Sequence, residues 1–142
     1  MYSESDKVYQ IVEKSLLELC TGGFARRVLV VAQTETDYLG NVDFLKKILL
    51  AAGLELERDT LFVQMDPTEN GRILPAIRER QADKIVVFGT LPAQLGLNIQ
   101  IPLYQPVDFN GATFLFSEKL SVIESDKTRK TNLWQALRQL FL

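Results

Sequence analysis

Val28-Leu29-Val30-Val31-Ala32 is an unbroken apolar run rich in β-branched side chains. A strand with one wet face alternates apolar and polar residues. A strand covered on both faces does not, and such strands belong mostly to parallel sheets. Three more runs of this kind follow, at Thr60-Leu61-Phe62-Val63-Gln64, Lys84-Ile85-Val86-Val87-Phe88 and Thr113-Phe114-Leu115-Phe116. Between them lie helical signals. Phe44, Leu45, Ile48, Leu49 and Ala52 form a stripe ended by Gly53, and Ile73, Leu74 and Ile77 suggest a short helix to Arg80. Pro92 to Leu95 suits one helical turn, and Leu133, Trp134, Leu137, Leu140 and Phe141 form a last apolar face. Ile99 to Asp108, with Pro102 and Pro106, reads as an extended segment that Asn110-Gly111 turns into the fourth strand. This alternation predicts a three-layer α/β/α domain around a central, mostly parallel four-stranded sheet.

Upstream of the first strand, Val8, Ile11, Val12, Leu16 and Leu19 follow helical spacing, with Ser5 or Asp6 as a cap and Thr21-Gly22-Gly23 as the stop. This N-terminal helix, within residues 1–22, either covers the sheet or lays its apolar face in a partner's groove. No repeat, low-complexity tract or linker divides the chain, so residues 1–142 are expected to form a single domain.

The composition excludes several chemistries. The 142 residues include no histidine and one cysteine, Cys20. Imidazole acid–base catalysis, Ser-His and Cys-His nucleophiles and histidine metal sites are therefore closed. A lone thiol makes no internal disulfide, iron–sulfur cluster or thiolate zinc site, so no metal or cofactor is expected. The chain is 46% hydrophobic and carries a net charge of −2, against a protein that grips nucleic acid by bulk charge. It opens without a signal-peptide pattern and holds no apolar run near the roughly 20 residues that span a bilayer. A soluble cytoplasmic protein without membrane contact is expected.

In doubly wound sheets the working crevice lies beyond the carboxyl ends of the strands. The segments to inspect are Gln33–Gly40, Gln64–Gly71, Gly89–Leu97 and Phe116–Lys119. Three stretches there carry a resemblance. They are the first strand with its helix ending Leu49-Leu50-Ala51-Ala52-Gly53-Leu54, the stretch from Asp83 through Gly89-Thr90-Leu91-Pro92-Ala93 to Leu97, and Phe116-Ser117 through Arg129-Lys130-Thr131-Asn132-Leu133-Trp134-Gln135 to Leu137. In order and spacing, over roughly residues 28–140, they resemble the uracil-DNA glycosylase superfamily, especially its shorter microbial branch.

The resemblance implies that fold and also shows departures from its catalytic pattern. The family's water-positioning loop is here Ala32-Gln33-Thr34-Glu35-Thr36-Asp37, with Ala32 and Thr36 where glycines would allow a ligand close approach. Gln64 is the nearest match to the family's base-reading Asn. Leu115 or Phe116 occupies the region of its catalytic His. Gln33, Thr34, Glu35, Asp37, Gln64, Leu115 and Phe116 are thus read as a degenerate pocket, unable to steady a departing base. A glycosylase scaffold without its active site, with a basic stretch leading to Leu-Trp-Gln, is similar to the psi subunits of bacterial DNA polymerase III. That resemblance implies a non-catalytic adaptor that meets the clamp loader and a chi-like subunit, with direct nucleic acid contact weak or absent. The alternative is a divergent glycosylase or nucleotide-binding enzyme working at Gln33–Asp37.

Each candidate has a plainer reading beside it. Glu35 and Asp37 orient a water or belong to a solvated turn, and Gln64 reads a base edge or satisfies nearby backbone. Lys127, Arg129, Lys130 and Arg138 meet phosphate or form a wet helix face. Val8, Ile11, Val12, Leu16, Trp134 and Phe141 are candidate partner contacts, with core packing as the alternative for Trp134 and Phe141.

Overall fold

The computed structural model describes residues 21–142. Val8, Ile11, Val12, Leu16 and Cys20 lie outside the described residues. Five strands form one sheet: β1 Val28–Gln33, β2 Thr60–Met65, β3 Lys84–Phe88, β4 Val107–Phe109 and β5 Ala112–Ser117. Their order is β2-β1-β3-β5-β4, parallel throughout except for the antiparallel β4–β5 pair. The mostly parallel α/β architecture is the expected one, with five strands in place of four. The additional strand is the end of the extended segment. Asn110 and Gly111, both with positive φ, fold Val107–Phe109 back onto β5. Three residues of half-buried, exposed, half-buried character are too few to stand out as a strand in sequence.

Helices cover both faces. On one face α1 (Tyr38–Ala51), α4 (Leu120–Glu124) and α5 (Lys127–Phe141) bury Leu45, Leu49, Leu120, Ile123, Leu133 and Leu137 against Val28, Val30, Phe62, Val86, Phe88 and Leu115. On the other, α3 (Ile73–Arg80) and a 3-10 turn (Pro92–Leu95) bring Ile73, Ile77 and Leu95 onto Leu29, Val31, Val63, Ile85, Val87 and Phe114. The lack of alternation in β1 and β3 follows directly, since every residue of both, apart from Gln33 and Lys84 at their ends, is buried. Truncating such a side chain to Ala typically costs about 2–5 kcal/mol.

Boundaries shift where local chemistry was misread. The loop after β1 ends at Asp37 rather than Gly40, because Asp37 Oδ1 accepts from the Gly40 N–H at 3.2 Å and starts α1 there. A short helix α2 (Leu56–Asp59) precedes β2. The closing helical region is two helices, divided where Asp126 caps α5 by accepting from Arg129 N at 3.0 Å. Ahead of β1, Thr21 exchanges both backbone hydrogen bonds with Phe62, at 2.9 and 2.8 Å, on the outer edge of β2.

Candidate functional site

The crossover after β1 runs along the α1 face and the connection after β3 along the other. The switch of direction therefore falls between these adjacent strands, where doubly wound sheets open a crevice. A cleft of about 570 Å³ lies on this edge, lined by Gln33, Thr34, Glu35, Thr36, Asp37, Asn41, Lys119, Ser121 and Glu124. Gly89, just past β3, packs beneath it with φ +84°. A Cβ there would fall 2.8 Å from Lys119 Cβ and 3.0 Å from Gln33 Cβ, so only glycine lets the β1 and β5 loops close over the end of β3.

The two loop carboxylates are both engaged. Glu35 accepts from the Ser121 N–H at 3.3 Å and from the Ser121 hydroxyl, which joins the β1 loop to the first turn of α4. Asp37 is the N-cap of α1. Two other groups line the cleft. Asn41 is only 3% exposed. Lys119 is exposed at the rim and forms no ion pair among the described residues.

Gln33, Thr34, Glu35 and Asp37 are therefore gathered where the sequence placed them. Gln64, Leu115 and Phe116 are not. Gln64 is the penultimate residue of β2, outside the cleft lining. Leu115 and Phe116 lie inside β5, which continues to Ser117, and are buried on opposite faces of the sheet. The residues just past that strand are Glu118 and Lys119. Glu118 faces elsewhere, accepting from Tyr104 Oη at 2.9 Å and Arg129 Nε at 2.6 Å. Lys119, at the end of the Phe116–Lys119 crevice segment, lines the cleft and brings an ammonium to the region assigned to Leu115 or Phe116. The strand runs one residue beyond Phe116, through Ser117. Ser117 is buried, and its hydroxyl donates to Val87 O at 2.8 Å.

Other candidates serve packing. Trp134 and Phe141 are partly buried against the α1–α4–α5 core. Arg129 bridges Glu118 and Asp126, and Lys130 Nζ lies 6.0 Å from the Phe44 ring centre. Gln94 gave no sequence signal. Its Nε2 donates to Pro67 O at 2.9 Å and Glu69 O at 3.0 Å, while its Oε1 accepts from Leu91 N at 3.0 Å, which ties the β2 and β3 loops together. Beside Gln94 an apolar groove runs along Leu91, Pro92, Leu97, Ile99, Ile101 and Pro102. No helix among the described residues is long and apolar enough to cross a membrane, and no cluster of ligating side chains suits a metal ion there.

Fold and cleft together define a doubly wound α/β domain with a polar crevice at its switch point. No family model matches this sequence, and no curated protein matches it.

Proposed function

We propose that this chain is a non-catalytic adaptor of the bacterial replicative polymerase, of the psi kind that meets the clamp loader. The observation that carries the non-catalytic part is the engagement of Glu35 and Asp37. A general base must be free to take a proton from water. Here one carboxylate holds two loops together and the other caps a 14-residue helix. The replisome assignment is supported by the glycosylase-like segments and by the resemblance of Arg129–Gln135 to psi. An adaptor also needs apolar surface, and Leu91 (63% exposed) lines the groove along Pro92–Pro102. Affinity capture with the tagged protein from its native extract tests the reading. Clamp-loader subunits are the expected prey, and a capture without any replisome component would sink it.

Lys119 and Asn41 in the cleft favour a second reading, a divergent glycosylase or nucleotide-binding enzyme acting at Gln33–Asp37. A cation and an amide are the kinds of group that steady charge developing on a leaving base. Incubation with uracil-containing single- and double-stranded DNA separates the two, because base release abolished by Lys119→Ala would replace the adaptor reading.

A further inference from the structure

We propose that a second cleft, at the amino edge of the sheet, binds a small ligand carrying one or two phosphate groups through Arg26, Arg27 and Arg78. The topology forces these residues together. Arg26 and Arg27 immediately precede β1, Arg78 lies in the last turn of α3, which returns the chain to this edge, and Gln81 to Asp83 lead into β3. With the Asn110-Gly111 hairpin they enclose about 580 Å³, opposite the carboxyl-edge crevice and within the size range of small-molecule sites.

The charge balance favours an anion. Asp83, the acidic residue in the lining, is paired with Lys84 Nζ at 2.9 Å. The Arg80 carbonyl at the negative end of α3 already accepts from Arg27 Nη1 at 3.0 Å. Arg27 also lies over the Phe24 ring, with its guanidinium carbon 5.9 Å from the centre. The guanidinium groups of Arg26 and Arg78 make no hydrogen bond or close ion pair among the described residues. Arg26 adds attraction to Asp59, whose carboxylate Arg58 already holds. Planar guanidinium forks match phosphate oxygens two at a time, and three around one concavity suit a discrete phosphate group. The net acidic chain argues against a long polyanion.

Local structure shapes the same cleft: Gln81, with φ 56°, is the left-handed C-cap of α3, and Asn110, with φ 52°, begins the β4–β5 hairpin turn.

Isothermal titration with inorganic pyrophosphate in low-salt buffer tests the site, with ADP, sulfate and a short single-stranded oligonucleotide in parallel. Saturable pyrophosphate and ADP binding is expected, weakened at least about tenfold by Arg26→Gln and by Arg78→Gln, the loss of a charge-assisted contact each. Lys47→Gln on α1 leaves it unchanged. Arg26 and Arg78 are both exposed, so melting temperatures stay within about 2 °C of the parent in either variant and a loss of binding is read as local. No pyrophosphate binding, binding indifferent to both arginine variants, or oligonucleotide binding far tighter than either small ligand would overturn the proposal. None of these outcomes depends on the adaptor reading, which the extract capture tests separately.

Discussion

Asp59 shows how a single residue can couple this fold to pH. It is the last residue of α2, directly before β2, with its side chain 3% exposed. It accepts from Arg58 Nε at 3.0 Å, Arg58 Nη2 at 3.1 Å and Glu55 N at 2.8 Å. The Arg58 guanidinium, helped by the Glu55 N–H, holds its carboxyl below the usual aspartate range. A lowered carboxylate stabilises the fold above its unfolded value, about 3.9, and that contribution is lost as pH falls through the lower folded value. Asp59→Asn should destabilise by about 1–3 kcal/mol at pH 7, towards the lower end because Arg58 is largely exposed, and should flatten the acid limb of stability. Urea unfolding between pH 2 and 7 checks this, and an unchanged acid slope would acquit Asp59. Tyr104 acts at the other end of the scale. Burial, then its hydrogen bond to Glu118, pushes its phenol up to about 12. A raised phenol stabilises the fold below its unfolded value, about 10, and the effect disappears as pH rises through the folded one. Ultraviolet titration should therefore find one late-ionising tyrosine, absent from Tyr104→Phe. Neither group was legible in the sequence. Glu57-Arg58-Asp59 reads as solvated charge, and only the tertiary position of α2 buries the third member.

Among elements, α1 depends on its first turn. Asp37 folds its carboxylate over the helix start, and a Cβ on residue 40 would fall 2.2 Å from Asp37 Oδ2, so Gly40 clears space for the cap. Asp37→Ala should cost about 1 kcal/mol and Asp37→Asn only a few tenths, since Asn caps nearly as well. Chemical denaturation of the pair gives the comparison, and equal losses would mean that the cap contributes nothing. The same turn explains why the helix start was misjudged. Gly40 looks like a breaker by propensity, but it is tolerated because it admits the cap. Long elements with a periodic or wholly apolar pattern were legible: β1 and β3 are where the sequence puts them, and so are the apolar faces of α1 and α5, though not the starts of these helices. Short elements were not. In β4, α2 and the break before α5, three or four residues carry too little periodicity to outweigh pairing and capping. The cleft shares that fate. Its β1 loop was legible because Gln33–Asp37 follows an unmistakable strand. Lys119 falls in the Phe116–Lys119 segment, but nothing in the sequence singled out its side chain as the one that lines the cleft.

For the whole molecule, alternating strands and helices implied layers but not how evenly they cover the sheet. The α1–α4–α5 face carries helices of 14 and 15 residues, whereas the opposite face has α3, of eight residues, a 3-10 turn and the irregular stretch 97–101. Irregular backbone has fewer internal hydrogen bonds to break on opening, and local unfolding begins where packed contacts and protected amides are fewest. The stretch is anchored at its start by Gln94, and near its end by Tyr104 N donating to Phe116 O at 2.8 Å. Native-state hydrogen exchange should therefore reveal an opening of residues 97–103 at lower free energy than α1, with the β1 and β3 amides last to exchange. Gln94→Ala removes two bonds to the β2 loop and should lower that opening free energy while leaving α5 protection unchanged. Uniform protection across both covers, or equal loss in α5, would mean that the two faces open together and that the thinner cover is no weaker than the other.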